Sequence, residues 1–207
     1  MIDKNKNTEE KILDAANEVF IEKGFDGARM QQIADKAKIN KSLLHYYYRS
    51  KDKLFTQVFK IVSKKFFPKT ISIFSRDIEF YEKIRIFTSE YIDVLSKNPF
   101  LPMFILHEIS KNPQKIASIF INIFDSNIKK ELANIGTQLE EEYKKGNIKK
   151  TKPKHFIINT LSLCVFPFVG KPIITSVILN GSNEEFNTFI EERKTQVAEF
   201  IINSIKK

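Results

Sequence analysis

Residues 30–55 read MQQIADKAKINKSLLHYYYRSKDKLF, and this stretch decides the fold. Ile33, Ala34 and Ala37 form one apolar stripe at helical spacing. Ile39 closes a corner. Asn40 follows as a good N-cap, because its side chain accepts from the free amides of the next turn. From Asn40 a second helix runs through Tyr48 and buries Leu44 and Tyr48 at i, i+4. Its open face then carries Lys41, Ser42, His45, Tyr46 and Tyr47. Hydrogen-bonding groups and a positive charge on a protruding helix are what reading a major groove requires. The pattern is a helix-turn-helix.

Working outward, Thr8 is the expected N-cap of a first helix, with Glu9 and Glu10 placed favourably for its dipole. Residues 1–7 are polar and expected to fray. The first helix buries Ile12, Leu13, Ala16, Val19 and Phe20 and ends at Gly24, which can take the left-handed terminal conformation. Downstream, Lys51 or Asp52 opens a fourth helix that buries Leu54, Phe55, Val58, Phe59 and Val62 and stops near Pro68. Charge follows the same region. Residues 36–65 hold nine basic side chains against the single acid Asp52, which is almost the whole of the +9 net charge. Positive charge concentrated on a helix-turn-helix is the footprint of a phosphate-binding surface.

These elements, in joint order and spacing, resemble the N-terminal DNA-binding domain of the TetR family of bacterial transcriptional regulators. The resemblance covers residues 8–59. It rests on Ile12-Leu13-Asp14-Ala15-Ala16, Val19-Phe20, Lys23-Gly24-Phe25, Ile33-Ala34, Ala37, Ile39-Asn40-Lys41, Leu44-His45-Tyr46-Tyr47-Tyr48 and Ser50-Lys51-Asp52-Lys53-Leu54-Phe55. Ala28 and Arg29 stand where the family usually has hydroxyl residues, Ser42-Leu43 where it has Gly-Thr, and His45 where it has Tyr. The resemblance implies that Tyr47 and Lys51 touch phosphate. Lys41 and Ser42, in the first turn of the third helix, and His45 with Tyr46 are the base-edge candidates, and Arg29 or Gln31 approaches from the second helix.

Beyond Pro68 the pattern stays helical, with turns marked by Pro, Gly and Asn. A short helix is expected over 70–74, then longer ones over 78–96, 98–109 and 112–145. Gly146-Asn147 makes a turn. Pro153 opens an apolar helix kinked or broken at Pro167 and at Gly170-Lys171-Pro172. The β-branched run 173–178 is ambiguous, but a lone strand would lack a partner. Asn183 caps a last helix to about Ile205. The expected organisation is all-α: a helix-turn-helix head over 1–50, a bridging helix over 51–67, and a helical ligand-binding and dimerisation domain over 68–207.

Composition excludes several functions. Cys164 is the only cysteine, so neither an internal disulfide framework nor a cysteine zinc site is possible. His45, His107 and His155 stand far apart, and His107-Glu108 is the nearest approach to a chemical pair. No nucleophile elbow, phosphate-cradling loop or dinucleotide fingerprint is present. No catalytic residue, metal ligand or cofactor is expected. With no apolar N-terminal leader and no uninterrupted apolar span, a cytoplasmic protein is expected.

The region past Pro68 is rich in Phe, and TetR-family members hold an inducer in a helical pocket there. The resemblance therefore implies an apolar or amphipathic small-molecule effector, with Tyr91, Met103, Phe104, His107, Phe120, Phe124 and Phe166 as candidate lining residues. The last two helices are apolar on more than one face. Ile157, Ile158, Leu161 and Val165, with Phe189, Val197, Phe200, Ile201 and Ile205, exceed what one monomer face needs. A homodimer built on those helices explains the excess. The expected function is a dimeric, ligand-responsive regulator, a repressor, on a pseudo-palindromic double-stranded operator. An adaptor governed by a protein partner is the alternative, and a helical enzyme comes third.

Overall fold

The computed structural model describes residues 2–111, 113–123 and 126–207, with side chains described at all of these except 2–7, 63, 65–69, 100, 104, 107–108, 111, 115–116, 119, 123 and 126–127. The chain folds into helices α1 (Ile2–Gly27), α2 (Met30–Lys36), α3 (Lys41–Tyr47), α4 (Lys51–Ile71), α5 (Phe80–Lys97), α6 (Phe100–Lys111), α7 (Pro113–Ile123), α8 (Ser126–Lys144), α9 (Pro153–Val169), α10 (Lys171–Ile173) and α11 (Asn183–Ile205). A 3₁₀ turn (Ser72–Ser75) links α4 to α5, and a π-helical turn (Ile174–Ile178) follows α10. Among the described residues the sole β feature is an isolated bridge between Ile148 and Lys206.

The head is α1 to α4 wrapped around Ile12, Ala16, Phe20, Ile33, Ala34, Leu44, Leu54 and Phe55, all buried. Phe55 sits edge-on to Phe20 at 4.6 Å and to Phe25 at 5.1 Å, a geometry that suits the ring quadrupoles. Gly24 takes φ 68°, so helical geometry breaks there as the sequence predicts. At the other end α1 runs back to Ile2, and Thr8 lies inside it instead of capping it. No Gly or Pro between them interrupts the helix. The head is not a free-standing unit, since Leu101 of α6 is part of its core and Phe120 of α7 packs on its underside.

α4 continues past Pro68 to Ile71. Thr70 and Ile71, in the turn that follows the proline, are buried and line the body's cavity beside Tyr91. The body is built on α5, which packs most extensively against α11 and next on α9. Phe80, Ile84, Phe87, Tyr91, Ile92 and Leu95 of α5 meet Val197, Ile201 and Ile205 of α11. One long helix expected over 112–145 is two. α7 serves the head core through Phe120, whereas α8 serves the body through Ile135 and Leu139, so they follow different partners. Of the two breaks expected, at Pro167 and at Gly170-Lys171-Pro172, the second is present: α9 runs through Pro167 and the α10–π segment turns from it by 61° at Gly170. The ambiguous run 173–178 is that segment. Ser182, not Asn183, caps α11, its hydroxyl accepting from Glu185 N at 3.1 Å.

Candidate nucleic-acid interface

The corner between α2 and α3 is built from backbone hydrogen bonds and one side-chain cap. Lys38 N donates to Asp35 O at 3.1 Å and Ile39 N to Ala34 O at 3.0 Å, the pairing of a Schellman C-terminus. That motif needs a left-handed residue, and Lys38 supplies it at φ 56° despite its side chain. Asn40 then caps α3, with Oδ1 accepting from Leu43 N at 2.7 Å. A seven-residue helix is far too short to hold alone, so the cap and buried Leu44 fix it to the head.

Anchored in this way, α3 turns Lys41, Ser42, His45 and Tyr46 to solvent, and Tyr46 is 81 % exposed. Tyr47 is half-buried against the head core, its ring edge-on to Tyr46 at 5.7 Å. Tyr48 points inward and its hydroxyl donates to Glu9 Oε1 at 2.9 Å. Burial first, then the Glu9 carboxylate, hold this phenol well above its ordinary range, so it stays protonated. Tyr48 ends the helix in extended geometry, one residue earlier than the pattern of apolar residues indicates.

The remaining DNA candidates divide by what already holds them. Arg29 is exposed at the start of α2, where its amide donates to Gln32 Oε1 at 3.2 Å. Gln31 is exposed but donates to Asp35 Oδ1 at 2.8 Å. Lys51 is partly committed: its ammonium lies 4.5 Å over the Phe25 ring and donates to Ala28 O at 3.1 Å. It therefore ties α4 to the α1–α2 corner. Lys36 pairs with Glu18 at 2.7 Å, and that bond raises its pKa. Lys38, Lys41, Arg49 and Lys53 are exposed with no ion pair among the described residues. Sequence reasoning placed Lys41, Ser42, His45 and Tyr46 outward as they are, counted Tyr47 with them although it packs on the head core, and missed the Tyr48–Glu9 bond, because a contact across 39 residues leaves no local trace.

The four effector candidates whose side chains are described do not converge. Tyr91 lines a wholly apolar cavity of about 110 Å³ with Thr70, Ile71, Phe74, Phe87 and Phe156. Met103 lines a separate open cleft. Phe120 packs under the head with its ring 5.8 Å from Phe59. Phe166 is 64 % exposed on the outer face of α9. The helical spacing behind the grouping is real, but α6 and α7 pack on the head core whereas α9 packs on the body core. The side chains of Phe104, His107 and Phe124 lie outside the described residues. Among the described residues no cluster of three His, Cys, Asp or Glu side chains is arranged to hold a metal. No single described helix is long and apolar enough to cross a membrane, although α9 with the segment after it passes on combined length and composition.

A basic helix-turn-helix head on a helical body is an architecture suited to binding DNA. Residues 12–58 match the model described as bacterial regulatory proteins, tetR family. The HTH-type transcriptional repressor NicS of Pseudomonas putida is 42% identical over 59 residues, so the chain spans 28% of that protein. YttP of Bacillus subtilis, named a probable HTH-type transcriptional regulator, is 24% identical over 195 residues, 91% of each chain. A solved TetR-family transcriptional regulator from Mesorhizobium loti shares the fold with a TM-score of 0.64, at 19% identity over 97% of each chain. The domain match marks residues 12–58 as a TetR-type DNA-binding head, and the full-length likeness shows the fold that solved TetR-family regulators have.

Proposed function

We propose that the protein is a homodimeric repressor that binds a pseudo-palindromic operator through two copies of α3 and releases it when a small molecule enters the body. The observation that carries this reading is the outward set Lys41, Ser42, His45 and Tyr46 on a helix locked at both ends. Lys41 and Ser42 sit in the first turn of α3, where a recognition helix meets base edges. Arg29, Gln31, Tyr47 and Lys51 flank that turn and hold the head on the phosphates. Lys41→Ala tests the assignment. Against phosphate, loss is uniform across sequences and the log–log salt slope falls by about 1. Against a base, one operator position loses about 1–3 kcal/mol of discrimination. Unchanged affinity with unchanged slope refutes it.

The second copy comes from the outer faces of α9 and α11. Ile158, Phe166 and Phe200 are 61 %, 64 % and 63 % exposed there, an apolar surface that a monomer does not use. Val197, Ile201 and Ile205 belong instead to the monomer's own core.

The coupling runs along α4. Thr70 and Ile71, at its far end, line the Tyr91 cavity, while Leu54, Phe55 and Phe59, near its start, are core residues of the head. A 21-residue helix is a rod about 30 Å long, so displacement at the cavity swings the head. The cavity volume suits a small apolar molecule, and a larger effector must open it further. Effector binding has to favour the DNA-incompetent spacing of the heads, since equal affinity for both states shifts nothing. Titration of the effector with and without operator must then give different affinities, changed reciprocally. The second reading, an adaptor bound by a protein partner, draws on Ile173, Val177 and Ile178, which are 66–75 % exposed on one segment.

A further inference from the structure

A second opening lies away from the Tyr91 cavity, a cleft of about 480 Å³ between the α5–α6 corner, the α10–π segment and the first turns of α11. Its floor is Phe168, Phe186 and Ile190, each at least nine-tenths buried. Among its polar lining residues, Lys171 and Thr175 stand four residues apart on the α10–π segment, as do Asn183 and Asn187 on α11; Ser96 and Ser176 also line it. One turn of a helix separates the members of each pair, so both rows aim across the same floor.

Two features of the Lys171–Thr175 row are unexplained by the fold. Thr175 Oγ1 is buried and has no hydrogen-bond partner. Native proteins rarely leave such a group unsatisfied, and a χ1 rotation that turns it into the cleft Thr175 lines would let it donate to a partner from outside. The Lys171 ammonium lies 4.6 Å over the Phe186 ring, and no carboxylate pairs with it among the described residues. A cation resting on an aromatic floor, beside an unsatisfied hydroxyl, is complementary to an anion carried on an apolar body. The volume accommodates a ligand of ordinary small-molecule size, which the 110 Å³ cavity does not.

We propose that this cleft binds an amphipathic organic anion. Its carboxylate or sulfonate pairs with Lys171 and accepts from Thr175, and its aromatic or alkyl body lies on Phe168, Phe186 and Ile190. The site stands apart from the Tyr91 cavity, and its occupancy can be measured without DNA.

The test is a fluorescence titration of the full chain with 8-anilinonaphthalene-1-sulfonate and, in parallel, the neutral N-phenyl-1-naphthylamine. The sulfonate probe saturates at one per protomer. Lys171→Met, which keeps the apolar stem, weakens it about tenfold and leaves the neutral probe within about twofold. Thr175→Val weakens the sulfonate probe several-fold yet raises the melting temperature of the ligand-free protein, because it removes an unsatisfied buried hydroxyl. Circular dichroism of both variants matches the parent. The proposal is overturned if the sulfonate probe binds both variants as it binds the parent, since the dye then sits on other apolar surface. It is equally overturned if Lys171→Met weakens the two probes in parallel, or if no saturable site exists.

Discussion

Replacing Asn40 separates the stability of the recognition helix from its contact with DNA. Asn40 Oδ1 holds the Leu43 amide at 2.7 Å, and α3 has only seven residues. Loss of a side-chain cap costs about 1 kcal/mol, within a range of roughly 0.5–2. Asn40→Ala should therefore lower unfolding stability by about that amount. Its operator affinity should fall by more than stability alone accounts for, because Lys41 and Ser42 lie in the turn that the cap orders. Asn40→Asp keeps the cap and adds a charge that the helix dipole favours by about 0.3–1 kcal/mol. It should be at least as stable as the parent. The same charge, one residue from Lys41, faces the phosphates if α3 enters the groove, so operator affinity should fall and the salt dependence should weaken.

The two variants thus move in opposite directions on stability and in the same direction on DNA. Chemical denaturation gives the first quantity and fluorescence anisotropy on a selected operator duplex, at several salt concentrations, gives the second. Asn40→Asp that is stable and binds like the parent would refute the placement of the α3 N-terminus at DNA. Asn40→Ala as stable as the parent would refute the capping argument itself.

Phe200→Asp should leave the monomer folded, since Phe200 is 63 % exposed, yet cost several kcal/mol in a buried apolar interface and yield monomer by light scattering; a folded dimer would move the interface elsewhere. Ile201→Asp, at a site 3 % exposed in the monomer core, should unfold the chain instead. Lys38→Gly should raise stability by up to about 1 kcal/mol in denaturant melts, relieving a left-handed lysine while loosening the unfolded chain; a less stable variant would contradict the turn geometry. Burial pushes the Cys164 thiol up to about 12, above the ordinary thiol value. The folded state then holds its proton where the unfolded state loses it, so this contribution is intact below about pH 8.5 and is lost as pH rises toward 12. Iodoacetamide should label Cys164 slowly in native protein and readily in denaturant, and fast native labelling would contradict its burial.

The head was legible because its signals are local. Asn40, Gly24 and the spacing of Ile33, Ala34 and Leu44 each act within a turn or two of themselves, and all hold in the structure. The body was legible as a set of helices but not as a set of faces. Phe120 and Phe166 share the composition and spacing of core residues, yet one packs beneath the head and the other faces outward. Which core an apolar helix serves depends on packing between distant segments, and periodicity within one segment carries no record of it. The same holds for Lys51, whose bond to Ala28 O spans 23 residues. Thr8 and Ser182 show the limit at helix ends, where an added turn or a shift of one residue changes the cap without changing the pattern.

The account's central claim, that two copies of α3 read a palindrome, is tested most directly by selection of the full chain on a random-sequence duplex pool. The expected product is an inverted repeat whose half-site centres lie about 34–36 Å apart or a multiple of it, with two protomers or more bound per duplex. Lys41→Ala should deplete or alter that enrichment. Selection that yields no enriched sequence, or a single unrepeated site bound by one protomer, would contradict it.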